Sequence, residues 1–170
     1  MSRLLFALAA VSFLGGCQVF GPSTPTTDTE TKAVPQTQAP AAGAISTIPQ
    51  SGLGPQELAA GDCGLFLWSQ TDVSKFIFFS RALSGQALLA QGDAPVTLTQ
   101  SNAGGDIFGQ FTTLMEYTSD AGNTYALNMT PGDDLDGGQR IQNGLMTITD
   151  PEGWITKLPV LGVRACQPEE

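Results

Sequence analysis

About eight short apolar runs, separated by turn-forming residues at intervals of roughly ten, limit what residues 56–168 of this 170-residue chain can become. Residues 65–68 are wholly apolar, 75–83 carry Phe76, Ile77, Phe78 and Phe79, and 86–90 and 96–99 follow. In 111–117, Phe111, Thr113, Met115 and Tyr117 share one strand face, Thr112 and Glu116 take the other, and Leu114 lies between them. Tyr125, Leu127 and Met129 alternate likewise, and runs at 141–149 and 154–163 complete the set. A period of two is that of a strand with one buried face. The separators have turn chemistry: Asp120-Ala121-Gly122-Asn123 suits a hairpin, and Asp150-Pro151-Glu152-Gly153 places Pro second and Gly last, as a type I turn prefers. The pattern predicts one all-β domain, an antiparallel barrel or sandwich of about eight strands. Residues 56–60 and 80–90 also read at the helical period.

The chain begins differently. Arg3 precedes an apolar run from Leu4 to Leu14, broken only by Ser12, and then come Gly15, Gly16 and Cys17. Eleven residues fall short of the about 20 that a helix needs to cross a bilayer, and the layout of 1–16 is that of a secretory signal peptide. Leu14-Gly15-Gly16-Cys17 resembles the lipobox of bacterial lipoproteins, with Leu three before the cysteine and small residues between. The resemblance implies that the Cys17 thiol accepts a diacylglyceryl group, that cleavage falls between Gly16 and Cys17, and that the freed amine is open to acylation, palmitate included. Each buried methylene contributes about 0.8 kcal/mol, so two or three chains make a lasting membrane anchor. In enteric bacteria an Asp after the cysteine retains lipoproteins in the inner membrane. Gln18 by analogy favours the periplasmic face of the outer membrane.

Residues 17–55 follow as a lipidated linker. From 18 to 55 there are six prolines, seven threonines and a single aromatic, Phe20. Such a segment buries too little apolar surface to offset its ordering entropy, which predicts a disordered tether. As a coil its root-mean-square reach is roughly 30–40 Å.

Cys63 and Cys166 bracket the domain. An exported domain meets an oxidising compartment, so a disulfide between them is expected. Closing a loop of this length is worth about 4.7 kcal/mol in chain entropy.

Charge excludes several functions. The chain carries a formal charge of -9, and without the leader six basic residues face sixteen acidic ones. That disfavours nucleic acid and polybasic docking on anionic lipid. A basic or neutral envelope protein, or a glycan, is the compatible partner. No histidine is present, which removes the commonest general base and with it Ser-His-Asp and Cys-His arrangements. Asp133, Asp134 and Asp136 put three carboxylates in four residues. They lack the spacing and the distal Glu of a Ca²⁺ loop and read as a solvated acidic turn, so no metal or cofactor is expected. Phe66, Trp68, Phe76, Phe78 and Phe79 read as core. For Trp154, burial is favoured over a place at a stacking rim.

These readings converge on a lipid-anchored, periplasm-facing lipoprotein with a non-catalytic binding or scaffold domain. The alternative is a cell-wall or lipid hydrolase using Glu116 and the carboxylates of 133–136. A further reading comes from format: an acidic, disulfide-closed, lipid-anchored β-domain is similar to the membrane-bound inhibitors of c-type lysozyme. Ser84-Gly85 resembles part of that family's SGxxY loop, with Leu88 in place of its aromatic. This resemblance implies a basic lysozyme as partner.

Overall fold

The computed structural model describes Pro49 and residues 51–169 apart from Ser74. The leader, Gly16 and Cys17 lie outside the described residues. Eight strands follow in order: β1 (Cys63–Ser69), β2 (Phe76–Arg81), β3 (Gln86–Gln91), β4 (Ala94–Phe108), β5 (Phe111–Ser119), β6 (Thr124–Leu135), β7 (Gly138–Thr149) and β8 (Ile155–Cys166). Each pairs antiparallel with the next, and β1 pairs with β8, so the sheet closes into an up-and-down barrel. The described residues contain no helix: 56–60 have no regular structure, and 80–90 resolve into the β2–β3 hairpin. The two sequence-identified turns close as expected, with Gly122 N donating to Ser119 O and Gly153 N donating to Asp150 O.

An eight-stranded barrel is just wide enough for its inward side chains to fill, and the alternation of the strands supplies that filling. Leu65 and Leu67 of β1, Phe78 of β2, Leu89 of β3, Leu98 of β4, Tyr125 and Leu127 of β6, Met146 and Ile148 of β7 and Val160 of β8 are all buried. Each fully buried side chain of this size contributes roughly 1.5–3 kcal/mol. At Gly162 of β8 the backbone of β1 leaves no room for a side chain: a Cβ would run into the Phe66 carbonyl oxygen and Leu67.

Two tyrosine hydroxyls enter the interior with partners. Tyr125 Oη donates to Gln91 Oε1 at 2.9 Å and accepts from Asn123 Nδ2 at 3.3 Å. Toward the other end, Tyr117 Oη donates to Ser80 Oγ at 3.4 Å, and Ser80 Oγ donates to Gln86 O at 2.9 Å. Burial pushes the Tyr117 hydroxyl above its ordinary pKa, and the Ser80 hydrogen bond partly offsets this.

The aromatic set expected to form the core divides between two surfaces. Phe78 and Phe79 are buried, whereas Phe66, Trp68 and Phe76 are half-buried. Their rings form a chain, Phe79 to Phe66 at 5.0 Å, Phe66 to Phe76 at 5.8 Å and Phe76 to Trp68 at 5.0 Å. The segment before β1 lies alongside: Pro49 bridges to Gly92, Leu53 is buried with its N–H donating to Phe76 O, and Leu58 packs against the core. Packing thus begins ahead of residue 56. The outward positions of β4 to β8 are largely polar, as at Thr97, Thr99, Glu116, Asn128 and Lys157.

Candidate functional site

The strand directions put four features at one end of the barrel: the Cys63–Cys166 pair and the turns β2–β3, β4–β5 and β6–β7. The two sulfurs are bonded at 2.03 Å across directly paired residues of β1 and β8. Within the β2–β3 turn Leu83 has φ of +60° and is 92% exposed. A branched aliphatic residue in the left-handed region is strained. The Ser84 hydroxyl holds the turn in place, donating to Arg81 O at 2.7 Å and accepting from Gln86 N at 3.2 Å. It is thereby engaged locally and stands beside no base. Ile107 on the β4–β5 hairpin is 80% exposed and Leu135 on the β6–β7 hairpin 39%. Each of the three hairpins therefore carries an exposed aliphatic side chain near this end.

Between the β2–β3 turn and the β4–β5 hairpin lies a pocket of about 230 Å³, lined in part by Ser80, Leu83, Gln100, Phe111 and Tyr117. Its rim is steadied by the Arg81–Asp62 ion pair at 3.4 Å and by Arg81 Nη2 donating to Glu57 O at 3.1 Å.

The β4–β5 hairpin is unusual in how it is held. Its own ladder runs to Phe108↔Phe111, with register shifts between Gln100 and Asn102 and between Gly104 and Ile107. The β5–β6 ladder, however, stops at Leu114↔Asn128, while β6–β7 continues to Leu135↔Gly138. Below Leu114 the two hairpins therefore part. Phe108 and Phe111 remain buried, and the tip residue Gly109, at φ of +63°, sits against the Arg164 guanidinium, where a Cβ would meet Nη1 at 2.8 Å.

The sequence-predicted acids do not converge. Asp133 and Asp134 lie on β6 and Asp136 in the β6–β7 turn, all exposed. Among the described residues no group of three His, Cys, Asp or Glu side chains is placed to hold a metal ion. Glu116 faces outward on β5 in a shallow groove of about 400 Å³ with Leu114, Asn128 and Leu145, and the aspartates line neither this groove nor the pocket. Ser84 and Gly85 form the β2–β3 turn, and Leu88 is half-buried on β3 opposite Phe79.

The expectation for Trp154 is corrected: it is 77% exposed at the opposite end of the barrel. The β7–β8 hairpin extends past the end of the β1–β8 ladder at Ser69↔Val160, so among the described residues no part of β1 is layered beside it there. Asp150 fixes it there, its Oδ1 accepting from Trp154 N at 2.8 Å.

Leu83 and Arg164 were not singled out from the sequence. Left-handed backbone at a leucine leaves no trace in the residue pattern. Arg164 was readable by extending the inward parity of Leu158 and Val160 through Gly162. Comparison with protein-family models, curated proteins and solved structures gives no match.

Proposed function

We propose that the chain is a bacterial lipoprotein carrying a non-catalytic binding domain, held by lipid on Cys17 at the periplasmic face of the outer membrane. The hairpin turns of the disulfide end are the surface that meets its partner. The supporting observation is Leu83, an exposed aliphatic residue kept in a backbone conformation that disfavours it by about 1–2 kcal/mol. Strain of this kind persists where the surroundings impose it and concentrates at binding sites. Ile107 and Leu135 on the neighbouring hairpins extend the apolar display. The acidic balance of the chain favours a basic or neutral partner, and would speed the approach of a basic one.

Two experiments test the parts separately. Labelled palmitate should enter the native protein and not Cys17→Ser; equal labelling overturns the anchor. A photo-crosslinking side chain at position 83 or 107 should give a discrete adduct in the native envelope, and one at Thr147 on the barrel wall should not. Leu83→Gly should raise stability by up to about 1 kcal/mol through relief of strain, yet weaken the adduct formed from position 107. Adducts independent of position would remove the assignment of the surface.

A further inference from the structure

Arg164 presents a conflict that the fold leaves standing. Alternation along β8 turns it inward, between Leu65 and Gln139 in register, and it is half-buried. Its Nε is shut off from solvent with no hydrogen-bond partner. Among the described residues the one hydrogen bond of its side chain runs from Nη1 to Cys166 Sγ at 3.3 Å, a weak acceptor. Among the described residues the ion pairs are Lys75–Asp72 and Arg81–Asp62, so no described carboxylate lies against Arg164 in a chain where acids outnumber bases more than two to one. Desolvating a cation without a counter-charge is unfavourable, and buried guanidinium groups are ordinarily paired.

With Nη1 occupied, what remains is the Nε–Nη2 edge. That edge offers two parallel N–H donors in the spacing of a carboxylate's two oxygens. The β4–β5 tip lies against the guanidinium at Gly109, where a Cβ would meet Nη1 at 2.8 Å and Cδ and Cζ at 2.9 Å. This tip belongs to the hairpin that has no ladder to β6 below Leu114 and is interrupted by two register shifts, with Gly104 and Gly105 at the second. Beyond Leu114 this hairpin's ladder is confined to its own two strands.

We propose that Arg164 is the anion-binding group of a site at the disulfide end of the barrel, which takes a carboxylate on its Nε–Nη2 edge when the β4–β5 tip lifts. The inference rests on the binding-domain reading above but not on lipid anchoring. The carboxylate comes either from a chain terminus or from a small free acid, and the two sources separate by experiment.

The full chain, ¹⁵N-labelled and held in detergent, is titrated with N-acetyl-Ala-Ala, with its C-terminal amide and with acetate. The expected result is a saturable shift of the Arg164 Nε–Hε resonance and of the Gly109 and Gln110 amides with the free acid, and none with the amide. Equal affinity for acetate assigns a small free acid, and preference for the dipeptide assigns a chain terminus. Arg164→Gln should weaken binding roughly tenfold or more. Arg164→Lys keeps the charge while losing the fork, and should weaken it too with a well-dispersed spectrum, which covers the case in which Arg164→Gln does not fold. An unmoved Arg164 resonance with every probe, equal shifts from acid and amide, or a lysine variant that binds as well as the parent each overturns the proposal. A chain whose turns still crosslink a partner while Arg164 stays silent would refute this inference alone.

Discussion

Tyr117 and Tyr125 both point into the barrel, and their hydroxyls meet different surroundings. The Tyr125 hydroxyl joins Gln91 and Asn123 in a buried network. Tyr125→Phe strands the Gln91 carbonyl without its donor, and urea denaturation should show a loss of about 1–3 kcal/mol. The Tyr117 hydroxyl has a long bond to Ser80 and a longer one to Met115 Sδ, so Tyr117→Phe should cost less than about 1 kcal/mol at neutral pH. Its distinctive effect is on pH dependence. Burial holds the folded-state pKa above the unfolded value, so above about pH 10 the unfolded chain releases this proton while the folded chain keeps it. Stability is therefore intact below that pH and falls as pH rises past it. Urea midpoints at pH 8 and above pH 10 should show a smaller decline in Tyr117→Phe than in the parent, and identical declines would remove Tyr117 as a source.

At the scale of elements, close approach of strands separates one glycine from another. Gly162→Ala pushes a methyl group into the Phe66 carbonyl and against Leu67, and thermal or urea denaturation should register a loss of about 2–3 kcal/mol. Gly122→Ala strains a positive φ but meets only Pro151 Cγ at 3.5 Å, so its loss should be smaller, about 1 kcal/mol. A larger loss at 122 than at 162 would contradict the packing described. The same strands show what a sequence can reveal. β5, β6 and β7 were legible because a polar outer face alternates with an apolar inner one. β4 was legible only around Leu98: Ser101, Asn102, Gly104 and Gly105 have no apolar rhythm, and it is hydrogen bonding to β5 that extends the strand through them. β1 and β2 were recognised as strands but not oriented, because Phe66, Phe76 and Phe79 make the outer face apolar as well, and only the packing of 49–58 explains that. The candidate site was less legible still. It depends on a left-handed leucine and on the point where one ladder stops, and neither is encoded in residue type alone.

For the molecule as a whole, the barrel is a meander in which every ladder but one joins neighbours in sequence. The exception, β1 with β8, closes the ring and carries the disulfide. Removing the bridge enlarges the unfolded ensemble, so a Cys63→Ala/Cys166→Ala variant should keep its β-type circular dichroism and lose about 2–5 kcal/mol in a urea titration. Parental stability in the variant would show that the ladder closes the ring unaided. The clasp also decides how the molecule responds to being pulled. Tension arriving along the chain from before Pro49 meets first the stretch laid over β1 and β2, fastened by the Pro49–Gly92 bridge, the contacts of Leu53 and Leu58 and the Arg81–Glu57 hydrogen bond, with no ladder of its own. That stretch strips away before any strand does, because peeling β1 from β8 requires breaking a covalent bond at Cys63. Some fourteen residues, roughly 45 Å when extended, are then released while the barrel and the turns at its disulfide end keep their shape. The molecule thus carries its own slack, a yielding length ahead of a rigid head.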